Sequence, residues 1–95
     1  MRMEVLRFVK SRRTKKFNKD FEGLPLAIQK KAEKAYRKWK NNPYDRSLQF
    51  KPMPGIASNA YSVKIDDDYR AIGYLNGDTI FWDFIGSHAD YNHYF

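Results

Sequence analysis

Residues 61–85 run YSVKIDDDYRAIGYLNGDTIFWDFI, and the punctuation of this stretch decides the architecture. Tyr61, Val63 and Ile65 alternate with Ser62, Lys64 and Asp66, the period-two pattern of a strand with one buried face. Asp66-Asp67-Asp68 makes a tight connection into a second strand, Tyr69–Leu75. Asn76-Gly77 is the strongest short hairpin signal in the chain. Thr79–Ile85 then follows as a central, largely apolar strand. Strands joined by such short turns run antiparallel.

Outward from this meander, Ser47–Met53 (SLQFKPM) can form part of a further strand, which Pro52, Pro54 and Gly55 limit to an edge or a turn. Upstream the period changes to that of helices. Leu26, Ile28, Ala32, Ala35, Tyr36 and Trp39 form an apolar stripe, while Lys30, Lys31, Lys34, Arg37, Lys38 and Lys40 fill much of the rest. Pro25 suits the first turn of this helix, and Asn41-Asn42-Pro43 stops it. A shorter helix precedes it. Phe17, Phe21 and Leu24 recur at i, i+4, i+7, with Ser11 or Thr14 as its cap and Gly23 at its end. Arg2–Val9 (RMEVLRFV) is rich in Val, Leu and Phe and reads as a first strand. The tail, GSHADYNHYF, is polar and aromatic. Strand, two helices, then an antiparallel meander of three to four strands is an α+β order, and residues 1–95 carry it as a single domain.

The 95 residues are 42% hydrophobic and contain no cysteine. Disulfides, thiolate chemistry and cysteine-bound metals are therefore excluded. Met1–Lys10 lacks the apolar core and cleavage site of a signal peptide, and no stretch approaches the roughly 20 apolar residues of a membrane span. The expectation is a soluble, cytoplasmic protein with no membrane partner. Its net charge is +7, and 16 of the 18 Lys and Arg lie in residues 1–51, against five acids. The remaining residues hold only Lys64 and Arg70 against six Asp. A basic half attracts polyanions, because neutralising phosphates releases condensed counterions. The same lysines also fit a plain solvated helix face.

Few residues can carry chemistry. Only His88 and His93 are imidazoles, with no clustered zinc ligands. Asp66-Asp67-Asp68 lacks the spaced oxygens of a calcium loop and reads as a solvated turn. No phosphate-cradling glycine motif occurs, so no cofactor is indicated. What remains is Lys51, Lys64, Arg70, His88, Asp90, Tyr91 and His93, gathered on the sheet and its end. Arg70 interrupts an apolar strand, where a lone guanidinium is costly unless paired. Either it holds a ligand, or it pairs with Asp83 or one of Asp66–Asp68. His88 follows the last strand and can trade a proton near neutral pH, or serve as a surface hydrogen-bonding group. Tyr91 and Tyr94 can stack on bases or pack the tail inward. Lys51 is a candidate phosphate contact or a solvated loop charge, and His93 reads as surface.

The strings FNKDFEGLPLAIQKKAEKAYRKWKNNP, SLQFKPMPG, YSVKIDDDYRAIGY and IFWDFIGSHADY, in this order, resemble the RelE/ParE toxin superfamily from about Phe8 to Tyr91. The resemblance implies a type II toxin of RelE-like fold. In its RelE- and HigB-like branches it implies a ribosome-dependent mRNA endoribonuclease, without metal or cofactor, restrained by a cognate antitoxin. The family's strand arginine falls on Arg70, the histidine of the HigB- and YoeB-like branches on His88, and the tyrosine after it on Tyr91. Of the family's basic positions on the preceding strand Lys64 corresponds, whereas Ser62 stands where many members carry Lys or Arg. His88, Arg70 and Tyr91 are thus the implied catalytic set. Lys64 and Lys51, with Lys30, Lys34 and Arg37 of the basic helix, are the implied contacts to mRNA and ribosomal RNA. Any C-terminal helix is short or missing. Two other readings stay open: a ParE-like inhibitor of DNA gyrase with no catalytic role for His88, and a nucleic-acid-binding module for which the basic helix suffices.

Overall fold

The computed structural model describes residues 10–95. The strand expected over Arg2–Val9 lies outside the described residues. The elements are β1 (Lys10–Arg13), α1 (Lys15–Glu22), α2 (Leu26–Asn41), a 3₁₀ turn (Arg46–Leu48), β2 (Lys51–Pro52), β3 (Ala60–Lys64), β4 (Tyr69–Asn76), β5 (Thr79–Ser87) and α3 (His88–Tyr94). They build one five-stranded sheet in the order β1-β5-β4-β3-β2. β2 to β5 form the antiparallel meander, and β1 adds to β5 in parallel, so the sheet is mixed.

Local chemistry accounts for the boundaries. Thr14, not Ser11, caps α1, its hydroxyl accepting from the Phe17 amide at 3.1 Å. Asn42 ends α2 just before Pro43, which could not continue the hydrogen-bond ladder. The β4–β5 hairpin turns on Gly77-Asp78, one residue later than Asn76-Gly77 suggests. Asn76 pairs with Thr79, and Gly77 takes φ +65° at the first central position, open to glycine without a Cβ clash. β2 is two residues long, as its prolines require of an edge strand.

The core lies between the sheet and the α1–α2 pair. Phe17, Ala32, Ala35, Trp39, Leu48, Val63, Ala71, Ile80, Trp82 and Ile85 form one buried cluster, with Phe21 and Leu24 packed against it. Trp39 meets Trp82 edge-on at 5.4 Å, which locks α2 to β5. Two members of the expected stripe depart. Leu26 is 67% exposed because, at helical spacing, it points away from the Ala32–Ala35–Trp39 line. Tyr36 stays 42% exposed, its hydroxyl 3.1 Å from that of Ser11.

The opposite sheet face corrects a second expectation. Ser62, read as solvent-facing, is 1% exposed, and Ala60, Ile72 and Phe84 beside it are also buried. For Phe84 the reason is the tail, which is not extended, and Ser62 lies under the Arg70 side chain that donates to it. The tail folds into the two turns of α3, and Tyr94 stacks on Phe84 at 5.7 Å with Phe95 edge-on at 5.4 Å. β3 is consequently buried on both faces.

Candidate active site

Residues opposite one another in an antiparallel sheet point to the same face, and so do residues two apart along a strand. The pairs Lys51↔Ser62, Ser62↔Ile72, Lys64↔Arg70 and Arg70↔Gly86 therefore set Lys51, Ser62, Lys64 and Arg70 on the face away from α1 and α2. At the end of β5 the chain turns directly into α3, which brings His88 and Tyr91 to the same place. The Arg70 guanidinium carbon lies 5.6 Å from the centre of the Tyr91 ring, and the His88 ring meets Tyr91 edge-on at 6.4 Å. Arg70 Nη1 donates to Ser62 Oγ at 3.3 Å. The three side chains implied as catalytic thus share one aromatic ring.

α3 is held where it begins. Ser87 Oγ accepts from the Asp90 amide and an Asp90 carboxylate oxygen accepts from the Ser87 amide, each at 3.2 Å, a reciprocal capping box. The His88 amide donates to the Asp68 carbonyl at 2.8 Å, tying the helix start to the β3–β4 turn. Gly86 makes the approach possible. A Cβ there would fall 3.0 Å from the Phe84 ring and 3.1 Å from Asp90, tighter than side-chain carbons normally pack.

Three of the four carboxylates offered as partners for Arg70 are occupied elsewhere. Asp83 accepts from Thr14 Oγ1 at 2.8 Å, Asp66 from Lys31 Nζ at 3.2 Å, and Asp67 pairs with Lys64 at 3.0 Å. Among the described residues no carboxylate pairs with Arg70. A half-buried guanidinium with donors left over is a ready anion contact. The Lys64–Asp67 pair is easily exchanged for a phosphate, because Asp67 is 99% exposed and the pair is screened by water. Asp66 is different. Burial pushes its carboxyl up, but donation from the Asp68 amide, Lys31 and the Tyr69 amide outweighs this and holds it below the usual carboxylate value. The acidic run is therefore a built turn that carries the Asp68 carbonyl to His88. The His88 imidazole is exposed and has no hydrogen-bond partner among the described residues.

Not every candidate converges here. Lys51 stands exposed on the edge strand beside Ser62. Lys30, Lys34 and Arg37 are exposed on α2, across the sheet from Arg70. A hollow of about 680 Å³ also lies on that helical side, among Phe21, Tyr36, Val63 and Trp82, and of the candidate residues only Arg37 reaches it. Two basic surfaces result, one on each side of the sheet. Sequence reasoning named Ser62 and Asp90 without finding the role of either. Ser62 is Arg70's buried acceptor, a role without any local signature. Asp90 is the capping partner, legible in Ser87-x-x-Asp90 as a helix start. Among the described residues no three His, Asp or Glu side chains gather into a metal-ligating group, and no helix is long and apolar enough to cross a membrane.

A five-stranded mixed sheet with two helices on one side and a short third helix on the other is the α+β fold that solved RelE-type toxins share. A solved structure of the RelB–RelE antitoxin–toxin complex from Methanococcus jannaschii contains a chain that superposes with a TM-score of 0.71 at 25% identity, covering 87% of this chain and 96% of that one. A YoeB/ParE toxin from Agrobacterium tumefaciens gives 0.68 at 18% identity, with coverages of 84% and 99%. YafQ from Escherichia coli gives 0.68 at 17% identity, with coverages of 86% and 96%. The family model of the ParE-like toxin domain matches residues 26–93, and the chain belongs to that family. No curated protein sequence matches it significantly.

Proposed function

We propose that this toxin is a metal-independent endoribonuclease that cuts mRNA on the ribosome and is restrained by a cognate antitoxin. The observation that carries the reading is Arg70, left without a carboxylate partner among the described residues and laid against Tyr91 beside an exposed His88. In the reaction a base removes the 2′-hydroxyl proton, and O2′ attacks the adjacent phosphorus in line. The bond from phosphorus to O5′ breaks, leaving a 2′,3′-cyclic phosphate and a 5′-hydroxyl. His88 protonates the departing O5′. Arg70, charged throughout, holds the phosphate and opposes the charge growing on its oxygens. Lys64 joins it on release from Asp67, Lys51 extends the cationic strip, and Tyr91 orients the strand. Lys30, Lys34 and Arg37, on the other side of the sheet, grip ribosomal RNA without reading sequence. An antitoxin partner is supported by relatives solved as toxin–antitoxin complexes from Methanococcus jannaschii, Mycobacterium tuberculosis and Escherichia coli.

Single-turnover cleavage on programmed ribosomes tests this. His88→Gln is expected to keep the fold and slow cleavage by about 10²–10⁴-fold, with little change in ribosome affinity. Arg70→Ala is expected to lower both rate and affinity, because it removes a ground-state contact as well. A folded His88→Gln protein that cuts at the wild-type rate takes His88 out of the mechanism. The name of the matching family favours a second reading, a DNA gyrase poison that acts by binding. It requires that the wild-type protein block supercoiling, leave mRNA whole, and remain toxic after His88→Gln.

A further inference from the structure

β1 is shorter than the strand it pairs with. It ends at Arg13, opposite Trp82, whereas β5 runs on to Ser87. Among the described residues, β5 from Asp83 onward therefore has no strand beside it on the β1 side. The same place carries an irregularity. Gly73 pairs with Trp82 and Ile72 with Phe84, which leaves Asp83 as the extra residue of a β-bulge. The chain leaving β1 closes over this gap. The Thr14 amide donates to the Trp82 carbonyl at 3.0 Å, Thr14 Oγ1 to the Asp83 carboxylate at 2.8 Å, and Lys16 Nζ to the Asp83 carbonyl at 3.3 Å. Lys16 thus starts from the first turn of α1, on the helical side, and its ammonium reaches the other side. There it stands 4.2 Å from the centre of the Tyr94 ring and 5.1 Å from that of Phe84, the stacked pair that fastens the end of α3. Asp20 Oδ2, 2.8 Å away, steadies it from its own helix.

We infer that Lys16 is a positioning residue for cleavage: it clamps the far end of α3 and so holds His88 and Tyr91 against Arg70. The role rests on the RNA reading above and adds to it a residue from the opposite layer. α3 needs such a hold. Its seven residues include none that is buried, and so short a helix is not stable in water by itself. Its first turn is fixed by the capping box and the Asp68 carbonyl, which leaves its last turn to Tyr94 and Phe95. Tyr94 is 51% exposed, so its stack on Phe84 is partly wet, and a cation over the ring adds an attraction that a neutral side chain cannot give. Tyr91 lies one turn before Tyr94 on the same face of α3. A swing of the last turn therefore moves the ring that Arg70 and His88 share.

The test compares four variants. Lys16→Met keeps the length of the side chain and loses its charge, and Lys16→Arg keeps the charge. Tyr94→Leu removes the ring, and the Lys16→Met/Tyr94→Leu pair removes both. Circular dichroism checks the fold of each, amide exchange reads the clamp, and single-turnover cleavage on programmed ribosomes reads its use. Lys16→Met is expected to raise exchange at Tyr94 and Phe95 by about 2- to 30-fold, the factor that one cation–π contact represents, while α2 stays protected. Cleavage at saturating toxin should slow by up to the same factor, with the half-saturating concentration unchanged. Lys16→Arg should restore most of both. In the pair, Lys16→Met should cost little beyond Tyr94→Leu, because the contact is already gone. Unchanged exchange in Lys16→Met overturns the clamp, and so do fully additive losses in the pair or an Arg variant as slow as the Met one. Raised exchange with wild-type cleavage, or a rise that spreads through α2, overturns the positioning role. If Lys16→Met fails to fold, Tyr94→Leu decides: it must loosen α3 and slow cleavage with Lys16 in place, and a wild-type result overturns the role. If the wild type cuts and Arg70→Ala impairs it while Lys16→Met does not, only the role of Lys16 fails. If the wild type cuts no message, the RNA reading fails and this role with it.

Discussion

The two faces of the sheet use the same side-chain types for opposite ends. On the helical face, aromatic rings are sealed inside: Trp39 and Trp82 are 1% and 5% exposed and meet edge-on. On the α3 face, rings remain at the surface. Tyr94 and Phe95 are about half exposed, and Tyr91 is shared between the sheet, Arg70 and His88. The cations divide likewise. Those of α2 surround a stripe whose job is packing, whereas Arg70 and Lys64 stand on the sheet itself, where one lacks an acid partner among the described residues and the other has a weak, fully hydrated one. The difference teaches that aromatic content alone does not mark a site. A ring is free for a ligand only where the layer above it is too small to bury it, and α3, at seven residues, is such a layer.

This contrast can be broken most severely from the packed side. Trp39→Ala is expected to cost about 3–5 kcal/mol of stability, the usual price of emptying a buried aromatic position. Chemical denaturation would show this, and a loss below about 1 kcal/mol would mean that the helical face does not carry the core. Next comes Gly86→Ala, which pushes a methyl group against Phe84 and Asp90. Overpacking of this kind costs about 1–3 kcal/mol, and here it should loosen α3 before the rest. Amide exchange at Tyr91 and Asn92 should rise while that of α2 stays unchanged, which a uniform rise would contradict.

The helical face can be tested for polyanion binding without touching the other. Replacing Lys30, Lys34 and Arg37 together by Ala should lower the log–log salt slope of RNA binding by about 2, at roughly 0.7 per contact on single strands. Cleavage at saturating toxin should be unaffected. An unchanged slope would assign those residues to plain solvation and leave RNA contact to the α3 face.

The smallest effect concerns acid. Asp66 is held below the ordinary carboxylate value of about 3.9. A depressed native value contributes stability above the unfolded value, and that contribution is lost as pH falls through the native one. Asp66→Asn should therefore lower the melting temperature slightly at neutral pH and flatten its decline below about pH 4. If the acid limb is as steep in the variant as in the wild type, the β3–β4 turn owes nothing to this carboxylate.

How far the sequence reached differs from element to element. Thr14, Gly23 and Pro43 mark helix ends through interactions a few residues long, and the meander follows from a period of two between turn residues. Such features are local, so they are legible in one dimension. Arg70, a cation in an apolar strand, and His88, a histidine after the last strand, stand out on the page, but only the family resemblance joined them with Tyr91 into a candidate set. Their convergence is not local. It depends on strand register, on the absence of a Cβ at Gly86, and on Asp68 reaching the His88 amide across the turn.

Ser62 shows the limit most clearly. By alternation it belongs to the polar face, and that is where it points. Whether that face meets water depends on what packs over it, here the Arg70 side chain from the next strand, and alternation carries no information about what lies above a face. Leu26 is a different case: helical spacing alone sets it off the Ala32–Ala35–Trp39 line, and counting apolar residues without their angles put it in the stripe. The chain by itself thus determined the two longer helices, the order of the meander strands and the unusual residues. The tertiary structure alone decided which faces are sealed, which carboxylates are taken, and which cation lacks an acid partner among the described residues, because each of these depends on segments brought together by the fold.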